Sequence, residues 1–224
     1  MFLTLEGIEG AGKSTQARLL AERLSTSGRS VWLTHEPGGS PLAGAIRALL
    51  LHPQASLEAL AGASLAAGDA PAEEMLPLTE ALLLSAGRAQ HVPRIREHLA
   101  AGEIVVCDRY ADATRAYQGA ARGFDIATIN TLEDIATGGL RPDLTLLLDI
   151  PAEAGQERKA EASAMGGEWN RLDAESLAFH QRVRAGYLEL AAAEPERILI
   201  VDAAQPPDRL SDIIWETVVA RLPA

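Results

Sequence analysis

Apolar residues in this chain follow two periodicities. Five short runs carry no polar alternation: Phe2–Leu5, Val31–Thr34, Ile104–Cys107, Leu144–Asp149 and Ile198–Val201. Runs of this length and kind predict parallel strands covered on both faces. Between them the apolar spacing changes to that of helices. Lys13–Ser25 carries Ala17, Leu19, Leu20 and Leu24 and ends near Gly28, while Glu80–Ala100 carries Leu83, Leu84, Val92, Ile95 and Leu99. Ala174–Ala193 and Pro207–Leu222 are two further helical stretches. Alternating strands and helices predict an α/β fold of three layers, a doubly wound parallel five-stranded sheet that takes its ligands at the carboxyl ends of the strands. The stretch Pro53–Pro77 breaks the pattern, being rich in Ala and Gly. It reads as an inserted excursion between two core helices, with a short helix around Leu57–Leu65, inside a single domain spanning 1–224.

Composition narrows the function more than the fold. The 224 residues carry a formal net charge of −11, which repels nucleic acid and anionic membrane and disfavours a role on either. A few converging arginines could still bind a small phosphorylated ligand. Lysine is scarce: Lys13 and Lys159 stand against eighteen arginines. The single Cys107 excludes an internal disulfide and reads as a small buried hydrophobe. No apolar run reaches the ~18 residues that a membrane span needs. The first residues lack the basic segment of a signal peptide, so the expected compartment is the cytoplasm.

One of the two lysines sits in a motif. Gly7-Ile8-Glu9-Gly10-Ala11-Gly12-Lys13-Ser14 matches G-x-x-x-x-G-K-[ST], follows a predicted strand and opens a predicted helix. Glycines let successive N–H groups turn inward onto phosphate oxygens, and the helix N-terminus adds positive partial charge. Residues Gly7 to Ser14, with Thr15 after them, are therefore the expected ATP site. Lys13 would reach the β- and γ-phosphates, and the Ser14 hydroxyl would ligate Mg2+.

A phosphate loop alone does not distinguish a kinase from a slow ATP-hydrolysing switch; an acceptor site would. Asp108-Arg109-Tyr110 ends a predicted strand, where Asp108 can hold Mg2+ through water and Arg109 can meet a phosphate; a strand-end salt bridge is the plainer reading. Arg88 and Arg47 lie on helices and could equally be solvated surface residues. Glu36-Pro37-Gly38-Gly39 follows the second strand and could be no more than a tight turn. Arg158, Lys159, Gly166-Gly167 and Arg171 suit a mobile lid that brings cations to the transferred phosphoryl group, although a charged helix end would look the same. Trp169 could cover a site or pack locally.

Taken in order, these segments resemble bacterial thymidylate kinase, a family of P-loop nucleoside monophosphate kinases. The resemblance rests on Leu5-Glu6-Gly7-Ile8-Glu9-Gly10-Ala11-Gly12-Lys13-Ser14-Thr15, on Glu36-Pro37-Gly38-Gly39 and on Gly87-Arg88-Ala89-Gln90-His91-Val92. It continues through Asp108-Arg109-Tyr110 to Ala116-Tyr117-Gln118-Gly119, Phe179-His180-Gln181-Arg182-Val183-Arg184 and Val201-Asp202-Ala203, so it covers nearly the whole chain. It implies a P-loop NTPase fold with a short lid near 153–172, and a homodimer. It also implies ATP as donor, Mg2+, and dTMP as acceptor, giving dTDP for dTTP synthesis; a kinase for another pyrimidine monophosphate is the nearest alternative. Arg88 and Arg109, assisted by Arg47, would bind the dTMP phosphate. Gln118 would meet thymine, Tyr117 the deoxyribose and Glu9 the 3′-hydroxyl region, with Glu36, Leu84 and Thr114 completing the acceptor set. Lys13, Asp108, Arg158 and Arg171 would serve transfer, because the loop itself holds no cation before Lys13. The chain departs from the family pattern at His35, Leu84, Thr114 (with Ala113 beside it), Asn170 and the long Pro53–Pro77 stretch.

Overall fold

The structure, a computed structural model, describes residues 1–64 and 74–222. Five strands form one parallel sheet: β1 (Phe2–Glu6), β2 (Val31–His35), β3 (Ile104–Asp108), β4 (Leu144–Asp149) and β5 (Ile198–Asp202). Their order is β2-β3-β1-β4-β5. The five apolar runs thus mark the five strands, and all but β4 run slightly past the apolar segment. Leu5 pairs with Asp108 on one side and Leu146 on the other, so the chain leaves β1 and β3 at neighbouring points on the same sheet edge. Coverage on both faces holds for the inner strands β1, β3 and β4. The outer strands depart from that expectation: Leu33 on β2 and Ile200 on β5 are 42% and 54% exposed. An apolar run does not say whether its strand is central or at an edge, because that depends on pairing with distant segments.

Helices cover both faces. They are α1 (Lys13–Thr26), α2 (Pro41–Leu51), α3 (Pro53–Ser64), α4 (Pro77–Ala100), α5 (Ala111–Thr114), α6 (Ile126–Thr137), α7 (Ala152–Ala164), α8 (Leu177–Ala193) and α9 (Pro207–Val219). A π-helical segment, Arg115–Ala121, continues α5. On one face Leu3, Leu5, Val106 and Leu146 pack with Leu20, Val183 and Ile214 from the helices. On the other, Phe2, Val105 and Cys107 pack with Val92 and Ile95 of α4. Cys107 is buried, as its apolar context implied.

Sequence-based boundaries shift where caps decide them. The Ser176 hydroxyl accepts the Phe179 N–H at 3.2 Å, so α8 starts at Leu177 and not at Ala174. The short helix expected around Leu57–Leu65 begins earlier, at Pro53, and is described to Ser64; the rest of the excursion lies outside the described residues apart from its last few. Helices α6 and α7 were not singled out from the sequence: Ile126, Ile129, Leu132 and Ile135 at intervals of three were an available signal for α6, whereas α7 carries almost no large apolar residues. Among the described residues, no helix is long and apolar enough to cross a membrane.

Candidate active site

Every predicted phosphate-loop residue lies between the end of β1 and the first turn of α1. Gly12 caps α1 with left-handed backbone. Gly10 is required by a close approach: with φ +74, a side chain there would put its Cβ 2.0 Å from the Gly155 carbonyl oxygen of α7. The loop is thereby pressed against α7, where the expected lid begins. Lys13 is buried, and its Nζ donates to the Ile8 carbonyl at 2.7 Å. Burial, with Arg109 adding repulsion, lowers the Lys13 pKa to about 8. The Ser14 hydroxyl donates to Asp108 at the end of β3. The other oxygen of Asp108, Oδ1, is buried without a hydrogen-bond partner. A hydroxyl touching a carboxylate that has an unused oxygen suits Mg2+, which takes few protein ligands and fills its shell with phosphate and water. No group of three His, Cys, Asp or Glu able to hold a metal occurs among the described residues.

Next to Asp108 the backbone turns sharply, and Arg109 adopts φ +70, unusual for a residue with a side chain. That turn aims its guanidinium back at the loop, where it donates to the Gly7 carbonyl at 3.1 Å and to Glu9 at 2.9 Å. It also lies 5.1 Å from the centre of the Tyr117 ring. Glu9 receives the Tyr117 hydroxyl at 2.6 Å and stands 3.2 Å from His180. Burial pushes the Glu9 carboxyl up, but Arg109, His180 and Lys13 outweigh it and hold Glu9 well below the usual range. Glu9 is thus a charged arm joining the loop to Arg109, Tyr117 and His180.

Arg88 is no solvated surface residue. It is 3% exposed, donating to Glu36 at 2.8 Å, Thr114 at 2.9 Å and the Tyr110 carbonyl at 3.1 Å, and it pairs with Glu133. Burial opposes its charge, yet Glu133 and Glu36 more than offset this and raise its pKa. Its charge is already balanced by two carboxylates, unlike that of a bare phosphate anchor. Glu36 is more than a turn residue: it also meets His91 at 2.9 Å, and His91 meets Thr34 at 2.8 Å. Gln118 is buried and donates its Nε2 to Glu80 at 2.6 Å. Leu84 is half-buried in the wall of the same cleft.

The residues expected to form a lid divide. Gly166, with left-handed backbone, ends α7, and the Gly166 and Gly167 N–H groups bond back to Ser163 and Ala162; the glycine pair therefore caps a helix. Arg158 donates to the Ala203 carbonyl at 2.8 Å, and Lys159 pairs with Asp173 at 3.3 Å. Arg171 points elsewhere: it pairs with Glu80 of α4 and donates to the Leu50 carbonyl of α2 at 3.2 Å. Arg47 donates to the Pro37 carbonyl at 3.1 Å and lies 3.5 Å from Glu168, between α7 and α8. Trp169 is exposed. One cleft of about 780 Å³ touches the phosphate loop, Arg88, Arg109, Tyr117 and Gln118, with lid residues along its rim.

Glu80 and Glu133 were given no role from the sequence, and His91 and His180 stood only within segments that carry the resemblance, also without a role. Glu80, Leu84 and Arg88 follow one another at intervals of four on α4, so they share a face, and that spacing was an available signal for Glu80. Nothing local marks Glu133, which reaches Arg88 from α6.

The family model for thymidylate kinase matches residues 5–214. A thymidylate kinase from Thermomicrobium roseum is 50% identical over 97% of this chain and 93% of its own length. One from Trichlorobacter lovleyi is 47% identical over 99% and 98%. Among solved structures, thymidylate kinase from Ehrlichia chaffeensis superposes with a TM-score of 0.70 at 30% identity, covering 100% of this chain and 98% of that one.

Proposed function

Because the chain belongs to the thymidylate kinase family, we propose that its cleft is where the γ-phosphoryl group of ATP passes to dTMP, giving ADP and dTDP. The observation that carries this reading is the continuity of the cleft: phosphate loop at one end, Arg88, Tyr117 and Gln118 at the other, Arg109 and Glu9 between. A slow ATP-hydrolysing switch would have no use for a second lined pocket. Such transfer needs positioning and charge neutralisation more than a side-chain nucleophile.

In this reading the loop amides and the Lys13 ammonium would hold the ATP phosphates, with Lys13 exchanging the Ile8 carbonyl for phosphate oxygens. Ser14, and Asp108 through water, would hold Mg2+, which neutralises charge on the β- and γ-phosphates when bound. Arg109, aimed by its backbone turn and by Glu9, would bind the dTMP phosphate, with Arg47 at the rim. Glu9 would receive the sugar's 3′-hydroxyl and Tyr117 would pack on the ring. Arg88 donates to Thr114 and lines the same cleft as Gln118, which supports a place in the base pocket in preference to a phosphate site of its own. Arg158 would serve the transferred group from the lid. The protein would work in the cytoplasm, where ATP and nucleotides are pooled.

A homodimer belongs to the same proposal. Leu78, Leu82, Ala86, Ala89 and Pro93 of α4 are exposed at intervals of three or four and form one apolar-to-small stripe that a second copy could cover. Sedimentation should give about twice the 23.7 kDa chain mass, and a monomer at micromolar concentration removes that part. For the reaction, MgATP with dTMP, dUMP, dCMP, UMP, AMP and GMP should give the highest kcat/KM for dTMP. Better use of another monophosphate would leave only the kinase class standing.

A further inference from the structure

Three segments meet at Glu80, in the first turn of α4 and only 2% exposed. Its Oε1 accepts Gln118 Nε2 at 2.6 Å and Arg122 Nε at 3.1 Å. Its Oε2 accepts Arg122 Nη2 at 3.1 Å and the guanidinium of Arg171 from the lid. Arg122 is itself fixed by Glu175 at 2.7 Å and lies 4.8 Å from the Phe179 ring centre. We propose that Glu80 is a positioning residue that sets the orientation in which Gln118 reads the acceptor base and ties that reading to the lid through Arg171. This rests on the dTMP reading given above.

A carboxylate only accepts hydrogen bonds. Gln118 can therefore meet Glu80 only through Nε2, since a reversed amide would set two oxygens against each other. Its Oε1 is left buried and without a partner. The amide oriented this way offers an acceptor, and a pyrimidine with a proton on N3, thymine or uracil, supplies the matching donor. Cytosine presents an unprotonated N3 and would leave both acceptors unsatisfied, a mismatch costly in a dry site.

The same carboxylate holds the lid. Besides the Arg171 side-chain bonds, the Arg171 N–H donates to the Leu51 carbonyl at 3.3 Å. When the lid lifts, Glu80 keeps Arg122 and Gln118, so it stays a formed and charged catch. Burial pushes its carboxyl up, but Arg122 and Arg171 prevail and hold it below the usual range. Glu80 thus links base and lid without touching the phosphates.

Glu80→Gln keeps the volume but both donates and accepts, so Gln118 is free to turn over. The ratio of kcat/KM for dTMP to that for dCMP should fall about tenfold or more. Binding of dTMP should also cease to protect the backbone amides of 168–173 from hydrogen exchange, while ADP affinity, measured by titration, stays at the wild-type value. Either an unchanged ratio or persisting dTMP-dependent protection, in a variant that binds ADP, overturns the inference. Glu80→Asp, still an acceptor only, should retain the ratio; a fall equal to that of Glu80→Gln counts against the proposal. If Glu80→Gln does not fold, Arg171→Ala tests the lid link from the rim: protection at 168–173 should be lost, and its survival refutes the link. Failure of the dTMP reading itself would show earlier, in the wild-type protein, as preference for another monophosphate.

Discussion

The Ser14 hydroxyl donates to the Asp108 carboxylate, joining the first turn of α1 to the end of β3 across 94 positions of sequence. Asp108 keeps its second oxygen buried and unpartnered. If this pair holds Mg2+, Asp108→Ala should lower kcat on the order of hundredfold and raise the Mg2+ concentration needed for half-maximal rate. A Mg2+ titration of steady-state rates tests this; a wild-type Mg2+ dependence in the variant would remove Asp108 from the metal site.

The two lid arginines should behave differently. Arg158 is held by one backbone carbonyl, whereas Arg171 is engaged by Glu80 and the end of α2. Arg158→Ala should therefore reduce kcat roughly ten- to a thousandfold with little change in dTMP KM, as expected of a group acting on the transferred phosphoryl. Arg171→Ala should raise dTMP KM more than it lowers kcat. Steady-state kinetics of both proteins decide it, and a reversed pattern would exchange the two assignments.

Leu84 lies in the cleft wall, half-buried, at a position where the family resemblance implies an aromatic residue. Aromatic contact geometry adds ~0.5–1.5 kcal/mol beyond area burial. Leu84→Phe should tighten dTMP binding roughly two- to twelvefold by calorimetry. Weaker binding in a folded variant would mean that the space beside the base is already filled, and unchanged binding that Leu84 does not face the base.

Glu6, at the end of β1, accepts the Tyr110 N–H at 2.7 Å and the Tyr187 hydroxyl at 2.7 Å. Burial, reinforced by Asp112, raises its pKa from 4.5 to about 7. The folded state then holds a proton that the unfolded chain releases near 4.5. The contribution of Glu6 to stability is full below that value and is lost as pH rises through about 7, a change of ~3 kcal/mol. Urea unfolding from about pH 4.5 to 8 should show wild-type stability falling relative to Glu6→Gln. A constant difference between the two proteins would contradict the raised pKa.

Much of this molecule was legible in its sequence. The five strands, the phosphate loop and helices α1, α4, α8 and α9 are local: period, capping and glycine placement act within a few residues, so one stretch of chain reveals them. Gly7 to Ser14 needs only a strand before it and a helix after it to form a phosphate cradle. Lys13, Ser14, Asp108 and Arg109 were readable because their motifs sit at strand ends, where the topology must deliver them to one sheet edge. Tyr117 and Gln118 were readable through the family resemblance of the segment that follows Asp108-Arg109-Tyr110.

What only the tertiary structure decided is how distant segments pair. No local pattern distinguishes Leu33 and Ile200 on edge strands from Leu146 on an inner one, because edge and centre are fixed by strand order. Helical spacing left Arg88 open between a surface arginine and a ligand-binding one, and only Glu36, from the turn after β2, and Glu133, from α6, closing around it decided that it is buried and paired. Arg171 carries the same charge as Arg158, yet one docks on Glu80 and the other on the Ala203 carbonyl. A side chain's charge is written in the sequence; whether that charge is spent on a buried partner or left for a ligand depends on which groups the fold brings within about 3 Å, where hydrogen bonds form.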